Sequence, residues 1–508
     1  MTSLLLGIDL GTGSSKGVLA TPDGQIVATA VRPRPHSMSM PFPGWAEVDA
    51  AGVWWEDVVA LTRELVPQAE DEIAACCVSG VGPCLVLADD AGEPVRPAIL
   101  YGIDSRAIAE IAELDELLGA SAILQRCGTP LTTQAVGPKA RWVRRHEPDA
   151  WRRATRWFNS SSFAAFRLTG EYILDHHTAS QSVPLYDIEA NTWCDDWYDD
   201  VMGSLERPRL EWSSDVVGSV TAHAAEQTGL PEGTPVCAGT VDAWAEAFSG
   251  GVRSPGDLML MYGSTMFFVQ ELAAVARHPQ LWNTVGIEPG SKCLAAGMST
   301  SGSLTGWVQE LAGNASFETL VQEAAAVPPG SDGLLLLPYF SGERTPIFDH
   351  HARGVITGLT LRHQRGHIFR AVYEGIAFGI RQILELLDTE SNPVERLVAV
   401  GGGTQGSLWT QVVSDVTGRD QELPEHTIGA AYGDALMAAI GSGLVPPDTD
   451  WAKVTETVQP NPQTRPLYDE LYDLYSSLYP ATRDHMHALA RIQERTGEPD
   501  VTRDAGRG

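Results

Sequence analysis

The chain has 508 residues, 43% of them hydrophobic and 20% charged, ordinary for a soluble enzyme and too long for one compact core, so at least two domains are expected. With 35 Lys and Arg against 65 Asp and Glu the formal net charge is -30, which opposes binding to a phosphate backbone and excludes nucleic acid as an expected partner. Seven cysteines (Cys76, Cys77, Cys84, Cys127, Cys194, Cys237 and Cys293) show no CxxC spacing, so neither a zinc site nor a disulfide framework is expected, and a reducing cytoplasm fits.

The start, Met1 to Gly7, lacks the basic region and cleavage site of a signal peptide, and no apolar run reaches the roughly 20 residues that span a bilayer. No membrane partner is expected. Leu4 to Asp9 reads as a buried strand, Gly11 to Ser15 as a polar turn, Lys16 to Thr21 as a second strand, and Pro22-Asp23-Gly24 as a turn into a third strand, Gln25 to Val31. Helical periodicity follows in Trp54 to Val66, Arg106 to Leu118 and Lys139 to Arg145. The opening unit recurs mid-chain, where Leu258 to Tyr262, the turn Gly263-Ser264-Thr265 and Met266 to Gln270 repeat the strand-turn-strand pattern. Helical patterns return in Glu318 to Ala326 and His367 to Leu387, and alternation of strands with helices gives an α/β class. A run of turn formers, Ser249 to Gly256, divides the chain near residue 250. We therefore expect domains over 1–250 and 251–485 and a flexible tail over 486–508.

Four short motifs carry chemistry. Gly7-Ile8-Asp9-Leu10-Gly11-Thr12-Gly13-Ser14-Ser15-Lys16 combines bare backbone, small hydroxyls and a carboxylate suited to hydrated Mg²⁺, although a plain hairpin needs the same glycines. Gly263-Ser264-Thr265 mirrors it. Val398-Ala399-Val400-Gly401-Gly402-Gly403 runs a strand into glycines that could accept the face of a nucleotide base, or make a tight turn. In Ala238-Gly239-Thr240-Val241-Asp242 an acid sits between a strand (Pro235 to Ala238) and a helix (Ala243 to Phe248), where it serves either to orient and deprotonate an acceptor hydroxyl or to cap the helix.

In this order the motifs resemble the FGGY carbohydrate kinases over residues 4–445, together with Pro43-Gly44-Trp45-Ala46-Glu47, Ile103-Asp104-Ser105-Arg106, Gly137-Pro138-Lys139 with Trp142, Gly342-Glu343-Arg344-Thr345-Pro346, Ala352-Arg353-Gly354, Trp409, Gln411 and Asp415, and Gly429-Ala430-Ala431. The resemblance implies the two-lobed, actin-like (ribonuclease-H-like) ATPase fold and ATP-dependent phosphorylation of a small sugar or polyol, with Mg-ATP held between the lobes. It implies Asp9 and Asp242 at the metal and Asp242 as general base. Gly11, Thr12, Gly13, Ser14 and Lys16, with Gly263, Ser264 and Thr265, would line the phosphates, and Gly401, Gly402 and Gly403 the adenine. Trp45, Gly82, Pro83, Asp104, Arg106 and Asp242 would lie at the sugar; for Trp45 core packing is the alternative, and for Asp104 and Arg106 an ordinary ion pair.

Three positions depart from the xylulokinases that this chain most resembles. Val81-Gly82-Pro83-Cys84 stands where those kinases carry Gln-Met-His-Gly, Ala243 replaces the Asn after the catalytic acid, and Gly102, beside Tyr101, stands where a Trp is common. Lost polar partners alter discrimination between sugars strongly, which puts D-xylulose in doubt and points to a less hydroxylated acceptor. A chaperone or filament ATPase of the same fold would need a further domain or a polymer interface, and a non-catalytic sugar-responsive protein would be expected to lose Asp9 or Asp242. The sequence leaves the oligomeric state open, a homodimer included.

Overall fold

The computed structural model describes residues 3–34, 37–426 and 428–497. The chain forms two compact units. Unit 1 comprises Met1–Asp257, Val269–Ala295 and His426–Lys453, and unit 2 comprises Leu258–Phe268, Ala296–Glu425 and Val454–Gly508. The expected domains 1–250 and 251–485 differ from this division, because the chain returns to unit 1 twice after residue 257. Turn formers mark where a chain bends and carry no record of where it later returns.

Unit 1 opens with the expected meander, β1 (Leu4–Leu10), β2 (Ser14–Ala20) and β3 (Ile26–Pro33). All seven residues of β1 are buried, as in a strand covered on both faces. β4 (Ile73–Gly80) runs parallel to β1, and β5 (Val216–Ser219) and β6 (Pro235–Cys237) complete a sheet of order β5-β6-β4-β1-β2-β3. α1 (Glu56–Leu65) buries Val58, Leu61 and Leu65 and packs on β2 and β3, α2 (Ser160–Thr169) lies against β4, and α3 (Asp242–Ser249) follows β6. Since β1, β4 and β6 are parallel, the turns after all three open at one edge of the sheet, where ligands of open α/β sheets bind.

In unit 2, β7 (Asp257–Tyr262) leads through Gly263–Thr265 into the start of β8 (Met266–Leu272), the expected second strand-turn-strand. The chain passes between the units along β8 and back along β10, after β9 (Trp282–Val285), and β9 pairs antiparallel with the Lys292–Ala295 stretch of β10 (Lys292–Met298) inside unit 1.

Within unit 1, Glu271 on β8 accepts a hydrogen bond from the Cys293 thiol on β10 at 3.0 Å. Burial, with Glu288 and Asp257 adding to it, pushes the Glu271 carboxyl up from an ordinary 4.5 to about 8, against the Cys293 hydrogen bond and Arg253. The folded chain therefore keeps a proton that the unfolded chain releases, so this contribution to stability is lost as pH rises from about 4.5 through 8. Glu271→Gln keeps an oxygen acceptor for Cys293 and removes the titration. In urea unfolding it should leave stability nearly unchanged at pH 5 and raise it at pH 9 by on the order of 2–4 kcal/mol. An equal effect at both pH values would contradict this account.

Unit 2 continues with α4 (Gly302–Leu311), α5 (Arg365–Leu387), β11 (Arg396–Val400), α6 (Ser407–Thr417) and β12 (Gln421–Pro424). The chain then enters unit 1 for α7 (Ala430–Gly441), which packs along β1, and ends in unit 2 with β13 (Val454–Val458) and α8 (Arg465–Gly497). In unit 2 the strands β7, β11, β12 and β13 lie side by side in that order. Glu374 on α5 anchors this unit: it accepts from Gly330 N, the Ser331 hydroxyl, Arg370 Nε and the Tyr468 hydroxyl, all within 2.9 Å.

The expected tail over 486–508 needs correction, because α8 runs to Gly497. Met486 and Ala490 are buried at helical spacing, His487 Nε2 lies 2.6 Å from Asp349, and Arg353 donates to Gln493 at 2.7 Å. A polar sequence holds a helix where its few apolar residues fall on one stripe. The rest of the expected tail, 498–508, lies outside the described residues. Among the described residues no helix is long and apolar enough to cross a membrane, and all seven cysteines are free and buried.

Candidate active site

At the sheet edge of unit 1, Asp9 on β1 pairs in register with Lys16 on β2 and with Ser79 on β4, so carboxylate and ammonium project from the same face of the hairpin. β6 leads into Gly239, at φ 73°, where a Cβ would stand 1.9 Å from the Val78 carbonyl oxygen; only glycine permits that approach. Thr240 follows, its carbonyl accepting from Gly80 N at 3.1 Å and its hydroxyl donating to buried Asp175 at 3.0 Å. The segment is thereby fixed on both sides two residues before Asp242.

Asp242 is the first residue of α3, not its cap: the cap position is Val241, and the Asp242 carboxylate accepts only the N–H of Ala243, at 2.7 Å, among the described residues. The helix-cap reading left open by the sequence would have required a bond to an N–H two or three residues further on. Burial pushes the Asp242 carboxyl up to about 6, against the Ala243 hydrogen bond and Lys16. Burial, then Asp242 and Glu246, hold Asp9 well above the usual carboxylate range, with Lys16 opposing.

Two further acids escaped the sequence reading. Glu246 lies one turn after Asp242 on α3, and burial with Asp242 raises it to about 7 against Lys16. Its spacing of four from Asp242 was the available signal. Asp434 on α7 accepts from the Ser79 hydroxyl at 2.6 Å, and burial with Asp9 and Asp242 pushes it well up; nothing local in the sequence ties it to β4.

Gly11, Thr12, Gly13 and Ser14 form the turn between β1 and β2. The Thr12 and Tyr101 hydroxyls share a hydrogen bond at 3.0 Å, and Lys16 Nζ reaches the Ile428 carbonyl at 3.4 Å. The turn of Gly82 and Pro83 packs beside the loop that leads into Asp242, since a Cβ on Gly82 would stand 2.9 Å from Val241, and Asn159 fixes it by accepting from Cys84 N at 2.8 Å. Asp104 and Arg106 lie deeper. Both side chains are 0% exposed and paired at 2.7 Å; Arg106 also reaches Glu47 at 2.7 Å, and Arg96 bridges Glu47 and Glu147. Trp45 is half-buried, its ring 4.0 Å from the Arg106 guanidinium and edge-on to Trp142 at 5.0 Å.

In unit 2, Ser264 and Thr265 are exposed in their turn, which the N-terminus of α4 supports: Ser301 N and Ser303 N donate to Ser264 O, and Gly302 N to Gly263 O, at 3.0–3.1 Å. Gly401, Gly402 and Gly403 follow β11 over Tyr262 and Trp409, whose rings meet edge to face at 5.1 Å. Glu343 is buried and grips Ser299 N at 2.6 Å, holding the segment that leads to α4.

The profile of the N-terminal domain of the FGGY family of carbohydrate kinases matches residues 4–249, and that of its C-terminal domain matches residues 258–442. The chain belongs to the FGGY family of carbohydrate kinases. This kinase is 30% identical to a xylulose kinase of Lactococcus lactis subsp. lactis (strain IL1403), over 96% of its own length and 99% of the relative's. It is 29% identical to a glycerol kinase of Nocardia farcinica (strain IFM 10152), over 90% and 94%. The crystal structure of xylulose kinase from Rhodospirillum rubrum superposes with a TM-score of 0.86 at 34% identity, covering 95% of this chain and 100% of that one. The kinase thus phosphorylates a sugar or polyol hydroxyl with ATP, on the actin-like fold that its resemblance implied.

Whether the site suits a divalent cation is answered by Asp9, whose Oδ1 is buried without a hydrogen-bond partner among the described residues. The described residues hold no closed cage of three or more metal-ligating side chains. Mg²⁺ is suited by such a site, since it takes one or two carboxylates and fills its shell with water and phosphate oxygens.

Proposed function

We propose that this kinase transfers the γ-phosphate of ATP to a hydroxyl of a ketose or polyol less hydroxylated than D-xylulose, with Asp242 as general base. The observation that carries the reading is the Asp242 carboxylate, uncapped at the start of α3 and raised towards neutrality. Phosphoryl transfer asks little covalent chemistry of the protein beyond an oriented acceptor, a place for its proton and compensation of charge. Asp242 takes the proton, and Lys16 with the turn Gly11, Thr12, Gly13 and Ser14 contacts phosphate oxygens. Asp9 and Asp242 hold Mg²⁺, which when bound neutralises charge on the phosphates. In unit 2, Gly263, Ser264 and Thr265 bind phosphate, and Gly401, Gly402 and Gly403 border adenine. The free, buried thiols suit a reducing cytoplasm.

At the sugar, Trp45, Asp104 and Arg106 form one wall, with Trp45 the contacting group and the buried ion pair its support. Gly82 and Pro83 lie beside Val241 and offer no side-chain donor, and Ala243 offers none either. Two missing hydrogen bonds at about 0.5–1.5 kcal/mol each weaken transition-state binding of D-xylulose by about one to two orders of magnitude. The test is ADP release over D-xylulose, 1-deoxy-D-xylulose, L-ribulose, L-xylulose, glycerol, erythritol and D-gluconate. A deoxy-ketose or small polyol should show the highest kcat/KM; D-xylulose ranking first, at about 10⁴ M⁻¹s⁻¹ or more, would overturn the assignment.

A further inference from the structure

We propose that Tyr101 is a further catalytic residue, its hydroxyl donating a hydrogen bond to the phosphoryl group during transfer; the inference rests on the phosphotransfer reading of this site. Tyr101 stands at the end of the segment that leads to Asp104, yet its hydroxyl reaches the turn between β1 and β2 and bonds Thr12 Oγ1 at 3.0 Å. Thr12 is exposed on that turn. Two hydroxyls at that distance can both donate to one oxygen that approaches from the side they share. A phenol hydroxyl is a donor at neutral pH and can turn from Thr12 to a more negative acceptor without moving its ring.

Its ring is held in place through both its own packing and the backbone beside it. The ring packs against the core of unit 1. The next residue, Gly102, is clasped through both backbone groups: its N–H donates to Gln134 Oε1 at 2.7 Å, and its carbonyl accepts from the Thr133 hydroxyl at 2.9 Å. The clasp is itself fixed by the buried Lys139 ammonium, which donates to the Thr133 carbonyl at 2.6 Å and to that of Gln134 at 3.4 Å. A Cβ on Gly102 would stand 3.0 Å from Gln134, so the glycine lets the clasp close. A donor fixed before the reaction stabilises developing charge without the cost of reorganising.

In the step itself the acceptor oxygen bonds to the γ-phosphorus, the bond from that phosphorus to the ADP oxygen breaks, and the acceptor's proton passes to Asp242. Tyr101 keeps its own proton throughout and binds a non-bridging oxygen of the phosphoryl group, one of the three over which charge is spread as that group passes in line from ADP to the acceptor.

The experiment compares Tyr101→Phe and Gln134→Ala with the parent, using the best acceptor of the ADP-release panel, ATP hydrolysis without acceptor, and thermal unfolding. Tyr101→Phe should lower kcat by about 10²-fold, with KM for ATP and acceptor within threefold of the parent and an unchanged Tm. Gln134→Ala, which frees the ring without deleting the hydroxyl, should lower kcat by about three- to tenfold with the same KM values. A parental kcat in Tyr101→Phe overturns the proposal. So does a rise in KM at constant kcat, which marks uniform binding, and so does a loss confined to Tm. Should Tyr101→Phe fail to fold, a parental kcat in Gln134→Ala overturns it. Failure of the underlying reading looks different: a parental rate in Asp242→Asn beside a lost rate in Tyr101→Phe removes the base and leaves Tyr101 in its role.

Discussion

Asp242→Asn should turn over about 10²- to 10⁴-fold more slowly than the parent while binding ATP and sugar nearly as well, the range usual for removal of a general base. Asparagine keeps the oxygen that accepts from Ala243 N and the size of the side chain, so α3 should begin as before. What it removes is the site that receives the acceptor's proton and one carboxylate beside Asp9 and Glu246. Steady-state kinetics for turnover, and calorimetry with ADP for binding, separate these effects. Turnover within a few-fold of the parent would remove Asp242 from the chemistry, and lost nucleotide binding would make its metal role the larger one.

Asp104→Ala should cost about 3–5 kcal/mol of stability, because it leaves the Arg106 guanidinium in a fully enclosed site with one of its two carboxylates gone. At about 2–4 °C per kcal/mol for a unit of this size, the loss is on the order of 10 °C in Tm. The backbone N–H of Ala46 also loses its acceptor, at 2.7 Å, and with it the ring of Trp45 one residue earlier loses its fixed position. We therefore expect acceptor KM to rise together with the fall in Tm. A variant of parental stability and raised KM would instead mean that Asp104 meets the sugar directly.

Much of the architecture was legible in the sequence because it is written locally. The β1 to β3 meander follows from an apolar run broken by Gly11 and Gly13 and by Pro22-Asp23-Gly24, and α5 from an unbroken helical period over about six turns. Asp9 and Asp242 stood out because the first stands at the end of a strand and the second shortly after one, each with a glycine and a threonine within three residues. What the sequence could not carry was the register of distant segments. Asp434 meets Ser79 across 355 positions, and Thr12 meets Tyr101 across 89. Asp104 and Arg106 were legible as a pair, but their full enclosure depends on Glu47 and Trp45, brought against them where Glu47–Val48 pairs with Ala98–Ile99. The end of α8 was misread for a related reason: its polar composition says little, whereas two buried positions and the contacts of Asp349 decide it.

The free thiols have a use beyond indicating a compartment. All seven belong to unit 1, and unit 2 has no cysteine. Burial pushes the Cys84 thiol up to about 12 and raises Cys76, Cys77 and Cys293 as well, so in the folded state they are unreactive as well as inaccessible. A thiol reagent can therefore modify the native chain only when unit 1 opens. The natural sequence thus carries an internal gauge of one unit's stability that is blind to the other. Alkylation followed peptide by peptide reads the opening of the sheet at β4 through Cys76 and Cys77, of the turn beside Asp242 at Cys84, and of the β9–β10 hairpin at Cys293, each on its own scale.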